Sequence, residues 1–172
     1  MTRLSHGPAV LALTATTVAL CAAGVLVLTD IAALPALWTT LLISLLASLA
    51  WIDATTETVP DTLTLALVAC GLIHSASMGA PFAVPLVTAA LLLGLGILHD
   101  YATGDEGWIG SGDFFLTAGI AAWFGPFLLM DVLALTSIFL VLHGIVVRRA
   151  SIALAPSLAL SAAIIWLGGP LL

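Results

Sequence analysis

GSGDFFLTAGIAAWFGPFLLMDVLALTSIFLVLHGIVV, residues 110–147, decides the fold. Asp113 and Asp131 are its only charged residues. A helix crosses a hydrocarbon layer of about 30 Å with roughly 20 residues, so the run is long enough for two spans. Pro126 and Asp131, in FGPFLLMD, mark the expected turn between them.

The rest of the chain is of the same kind. The whole chain is 62% hydrophobic and 7% charged, with a mean hydropathy of +1.29. A soluble domain carries roughly 25% charged residues. With so few, a soluble fold could not cover its own core, so the expected class is an all-α polytopic membrane protein. Reading between punctuating residues predicts about seven transmembrane helices. They are Pro8–Leu28, Pro35–Ile52, Thr62–Met78, Phe82–Leu98, Phe114–Leu129, Val132–Val147 and Ile152–Leu167. The first is read as an uncleaved helix, because its apolar stretch exceeds a usual signal-peptide core and no clean cleavage site follows.

Orientation follows from the cations. There is no lysine, and Arg3, Arg148 and Arg149 are the only arginines. Arginine stays on the cytoplasmic side. With Arg3 inside, alternation through seven spans also puts the Arg148–Arg149 pair inside. Asp30 and Asp131 then fall on the outer side. Asp53, Glu57, Asp61, Asp100, Asp105, Glu106 and Asp113 fall on the inner side. An acidic inner face calls for a cationic partner or for chemistry. A net charge of −6 argues against nucleic acid, which needs a basic surface.

Asp53 closes the second span and Asp113 opens the fifth. Ionisable groups at membrane depth are costly and are functional candidates by default. Two carboxylates brought together can share a proton, one acting as base toward water and the other as acid toward a carbonyl. That is the minimum kit for aspartyl proteolysis. The glycines at 110 and 112 suit it, since they let backbone approach closely before the helix. Taken alone, Asp113 fits a helix cap and Asp53 an interfacial residue reaching water. Helix dipoles, counted on each aspartate's own helix, favour Asp113 as the base and Asp53 as the acid.

WIDATTETVPDTLTLALVACGL (51–72) and GSGDFFLTAGIAAWFG (110–125) together resemble the two signatures of the type IV prepilin peptidase family. ALAPSLALSAAIIWLGG (153–169) is similar to that family's final proline-containing helix. The resemblance covers residues 35–172, a prepilin-peptidase-like membrane domain, and leaves residues 1–34 as an extra N-terminal transmembrane helix. It implies a membrane aspartyl endopeptidase of the GxGD type, with Asp53 and Asp113 as the catalytic pair. The implied substrate is a prepilin, pseudopilin or archaellin-like protein, cut after its short basic leader at the cytoplasmic face of the cell membrane. Asp61 matches the acidic or amide position after the signature proline, and Gly110 and Gly112 match the GxGD glycines. The chain looks like the short peptidase-only form of tight-adherence pili or archaeal filaments. It lacks the paired CxxC motifs of members that also methylate, so methyltransferase activity, metal and cofactor are not expected.

Other residues take plainer readings. Glu57, Asp105 and Glu106 are solvated loop or, more sharply, a lure for a basic leader; with Asp61, Gly110 and Gly112 they form the candidate substrate-binding set. An N-cap is the expected job of Asp61. His74, His99 and His143 read as interfacial, Trp38, Trp51, Trp108 and Trp166 as interfacial anchors, and Cys21 and Cys70 as small buried hydrophobes. Gly94 with Gly96, and Ala118 with Ala122, are expected to let helices pack closely. Two other readings compete. A presenilin or signal-peptide-peptidase type of intramembrane protease places its aspartates on neighbouring helices, whereas two spans intervene here. A small carrier or structural subunit would hold facing acids at the midplane rather than at one edge.

Overall fold

The computed structural model describes residues 34–56, 58–79, 81–103, 111–147 and 154–171. Five helices run through them: α1 (Leu34–Thr56), α2 (Asp61–Ser77), α3 (Ala83–Thr103), α4 (Ser111–Val147) and α5 (Leu154–Gly168). Three of these, α1, α3 and α4, are long and apolar enough to cross a membrane; α2 and α5 are shorter apolar helices. The molecule is thus an all-helical integral membrane protein. The expected span at residues 8–28, all three arginines, Trp108 and Cys21 lie outside the described residues.

Leucine and alanine fill these helices, and their hydroxyl residues bond back to their own backbone. Thr40 donates to the Ala36 carbonyl, Thr88 to Val84, Thr136 to Val132, Ser137 to Leu133 and Ser161 to Ser157. In lipid a polar group must be satisfied within the protein, and the i−4 carbonyl is the nearest acceptor.

The chain divides into two compact units, Met1–Leu45 and Leu46–Leu172. In the first, the described residues are the N-terminal part of α1. The second holds the last turns of α1 and all of α2–α5. Within it α4 is central, and α2, α3 and α5 each pack on it. Close glycines set the registers. A methyl group on Gly71 of α2 would lie 2.5 Å from the Trp123 ring and 2.9 Å from the Ala122 backbone. One on Gly119 of α4 would lie 2.7 Å from Leu67. Residues 67 and 71 thus meet 119 and 122–123, so α2 and the first arm of α4 run parallel. On the other side Gly96 of α3 faces Phe115, and Pro85 lies beside Gly125, so α3 runs antiparallel. Ala118 and Ala122 are fully buried, as small packing residues should be. Gly94 is not one of them: it is exposed, with open space where a side chain would be.

The expected fifth and sixth spans are continuous in α4 apart from one residue. Gly125, at φ 68° and ψ 178°, is non-helical inside the helix, and Pro126 follows it. Those angles are essentially open only to glycine. The break therefore falls at Gly125 rather than across Pro126–Asp131, and Asp131 lies inside the second arm. Seven separate helices are not seen among the described residues.

Candidate functional site

Four helix ends meet at one end of the second unit. Val59, in the link between α1 and α2, packs on Gly112, where an added methyl group would lie 3.1 Å from its Cβ. This brings the start of α4 to the α1–α2 link. The N-terminus of α5 joins them through a hydrogen bond in which the Ala155 N–H donates to Asp53 Oδ2, at 3.1 Å. The C-terminal part of α3 arrives at the same end, where the His99 and Phe114 rings lie 5.4 Å apart.

Asp53 is 6% exposed. α1 continues past it to Thr56, so it sits in the last turn rather than at the helix end. The link that follows is held by hydroxyls: Thr56 Oγ1 donates to the Ile52 carbonyl at 2.8 Å and lies 2.8 Å from Thr58 Oγ1. Asp113 is half-buried in the first turn of α4, and its carbonyl accepts from Thr117 Oγ1 at 2.7 Å. Both aspartates therefore stand at the same end of the bundle, one closing a helix and one opening another.

The other candidates separate. Asp61 is exposed and is the first residue of α2, not its cap. The cap position belongs to Pro60, with no side-chain cap bond. Asp61 instead places a carboxylate in the first turn, where the helix dipole favours it. Gly112 lies against Val59 as described. Glu57, Asp105, Glu106 and Gly110 lie outside the described residues. Among the described residues, no three His, Cys, Asp or Glu side chains gather closely enough to hold a metal ion.

The Ala155 amide is the group that sequence reasoning missed. The first N–H groups of a helix have no partner within it. Pro156 has no N–H to satisfy, and Ala155 gives its own to a carboxylate 102 residues away in sequence. This also alters the dipole argument. Asp53 lies between the C-terminal end of its own helix and the N-terminal end of α5, and the two contributions oppose. Dipoles no longer separate the roles of the two aspartates.

The opposite end is aromatic. His74 stacks on Trp123 with ring centres 5.0 Å apart, and Trp166 meets His74, Trp123 and Phe124 edge-on at 5.3–5.7 Å. Trp123 donates its indole N–H to the Leu67 carbonyl at 2.9 Å, and Ser75 donates to the Ala122 carbonyl at 2.9 Å. Trp166 and His74 thus pack against other rings, and Trp38 is buried. Trp51, 72% exposed, keeps the anchor reading.

The type IV leader peptidase family matches residues 40–145. A prepilin leader peptidase/N-methyltransferase of Neisseria gonorrhoeae is 35% identical over 144 residues, which cover 75% of this chain and 49% of the relative. The chain thus spans about half the length of the curated relative it matches. No solved structure matches it. Both the matched region and the identity take in the two aspartate-bearing segments, and the chain belongs to the type IV leader peptidase family.

Proposed function

We propose that this protein is a membrane aspartyl endopeptidase that removes the basic leader of prepilin-like proteins. The observation that carries the reading is the meeting of α1, α2, α4 and α5 at one end, with a buried Asp53 and a half-buried Asp113 there. Family membership supports it.

The chemistry needs only these two side chains and a water. One carboxylate takes a proton from water as the oxygen attacks the scissile carbonyl. The other gives a proton to the carbonyl oxygen. The tetrahedral diol then collapses, and a proton moves to the departing amine. General acid–base steps of this kind contribute about 10²–10⁴-fold each.

The acidic inner face gives the site its partner. Asp61 is exposed at the same end; Glu57 stands shortly before it in the chain, and Asp105 and Glu106 shortly before Asp113. Together they would draw a lysine- or arginine-bearing leader to the cytoplasmic side of the cell membrane. Gly112 lets the start of α4 pass close to Val59 in the link. The two arms of α4 count as separate spans, and a further helix before residue 35 completes seven around the peptidase domain of residues 35–172.

The test is cleavage of a prepilin with a basic leader by the purified, membrane-reconstituted protein. The wild type releases the leader after a glycine; Asp113→Asn, correctly inserted, does not. Full cleavage by Asp113→Asn defeats the reading.

A further inference from the structure

The Ala155 N–H donates to Oδ2 of Asp53 at 3.1 Å, from a different helix and between two buried residues. We infer that the first turn of α5 is a positioning element of the catalytic centre, with the Ala155 amide fixing the carboxylate of Asp53. The inference rests on the dyad reading above.

The geometry makes this more than a packing contact. A carboxylate at the end of one χ2 bond rotates freely unless something holds it. A hydrogen bond to one oxygen restrains the plane of the group. Oδ2 is the atom that the amide holds. The donor is backbone, so its direction is set by the axis of α5 and not by a rotamer. Pro156 strengthens the arrangement twice. It locks its own φ, stiffening the turn, and it offers no second N–H to compete for the carboxylate. Catalytic groups need placement to within fractions of an ångström, and backbone on a helix supplies it better than a mobile side chain. α5 is itself anchored at its far end, where the Trp166 ring packs against His74, Trp123 and Phe124. The position of Asp53 therefore depends on a helix that supplies no reacting side chain.

The test replaces the Ala155 amide by an ester in the full-length protein, by incorporating lactic acid at that position. The N–H becomes an oxygen, and the methyl side chain stays. A charge-assisted bond lost in this way should lower kcat by about ten- to hundredfold and leave KM within about twofold. An ester at Leu160, on the exposed face of α5, is the control: it removes one helical hydrogen bond and should leave kcat within about twofold. A folded Ala155 ester with wild-type kcat overturns the inference. Equal losses at Ala155 and Leu160 overturn it too, since they would report only helix weakening. If the Ala155 ester does not fold, amide exchange decides: exchange at Ala155 should accelerate at least about tenfold in Asp53→Ala, and an unchanged rate there overturns the inference. A dead Asp53→Asn beside a fully active Ala155 ester defeats this inference alone. An active Asp53→Asn defeats the dyad as well.

Discussion

Both ends of α5 are tied to a buried aspartate, and the two ties match in length. Ala155 donates its N–H to Asp53 at 3.1 Å, and Leu171 donates its N–H to Asp131 at 3.1 Å. The carboxylates are equally buried, at 6% and 7% exposure. Their surroundings differ. Asp53 faces the open first turn of a helix, beside a hydroxyl-rich link and near the start of α4. Asp131 receives a chain that has already left its helix and turned at Gly169, which has φ +87°. It lies inside the second arm of α4, at the end of the molecule where four aromatic rings close the packing. Asp53 shares its end of the unit with the first turn of α4, which carries Asp113; Asp131 shares its end with the aromatic rings. A buried, hydrogen-bonded aspartate is therefore no sign of chemistry by itself, and what stands beside it decides.

The strongest way to break this comparison is to neutralise each carboxylate without changing its shape. Asp53→Asn and Asp113→Asn should each lower leader cleavage by at least about a hundredfold, as loss of a general acid or base does. Asp131→Asn keeps an oxygen for the Leu171 N–H and should cleave within about threefold of wild type. Cleavage assays on equal amounts of inserted protein separate these outcomes. A dead Asp131→Asn would place chemistry at the wrong end.

Removing the acceptor altogether should expose what Asp131 does. Asp131→Ala leaves the Leu171 amide unsatisfied, and the expected cost is about 1–3 kcal/mol of stability. Thermal unfolding in detergent would show it, with kcat of the folded fraction unchanged. A stability equal to wild type would mean that the tie at the closed end holds nothing.

The sequence spoke clearly about the helices and poorly about these ties. Hydropathy located α1, α2, α3 and α5 to within a few residues, because apolar runs and the punctuating Pro60, Pro81 and Gly79 are local signals. It misjudged the interruption of α4, because proline and aspartate are the loud residues of FGPFLLMD while the bend rests on Gly125. It located Asp53 and Asp113 through their motifs. It could not see that α5 reaches Asp53, since the donor is the backbone of an alanine. The ring contacts of Trp166 and His74 were out of reach for the same reason: their partners are distant in sequence.

The bend itself offers an intermediate effect. Gly125→Ala adds a Cβ that meets only Pro85, at 3.9 Å, so space is not the obstacle. The backbone angles are, and they should cost about 1–3 kcal/mol. Gly94→Ala, in open space on α3, should instead be neutral or stabilising by up to about 1 kcal/mol. Melting temperatures of the two variants give the contrast. Equal stability would mean that the two arms of α4 tolerate another geometry at residue 125.

The smallest effect is expected at Asp61, which shares an end with Asp53 and Asp113 but not their burial. It is exposed in the first turn of α2, and the helix start does not depend on its carboxylate: Thr64 Oγ1 donates to the Asp61 backbone carbonyl at 2.8 Å, and Pro60 occupies the cap. Asp61→Asn keeps that carbonyl and the shape of the side chain, and removes only the charge. Its effect should therefore fall on capture of a basic leader rather than on the chemical step. We expect kcat within about twofold of wild type and a modest rise in KM at low ionic strength. Attraction between exposed charges is screened over a Debye length of about 8 Å at physiological salt, so the rise in KM should fade as salt increases. Cleavage measured across a salt series reads both quantities. A tenfold or greater fall in kcat that persists at high salt would move Asp61 into the chemistry, and burial would then no longer distinguish the reacting carboxylates at this end from the rest.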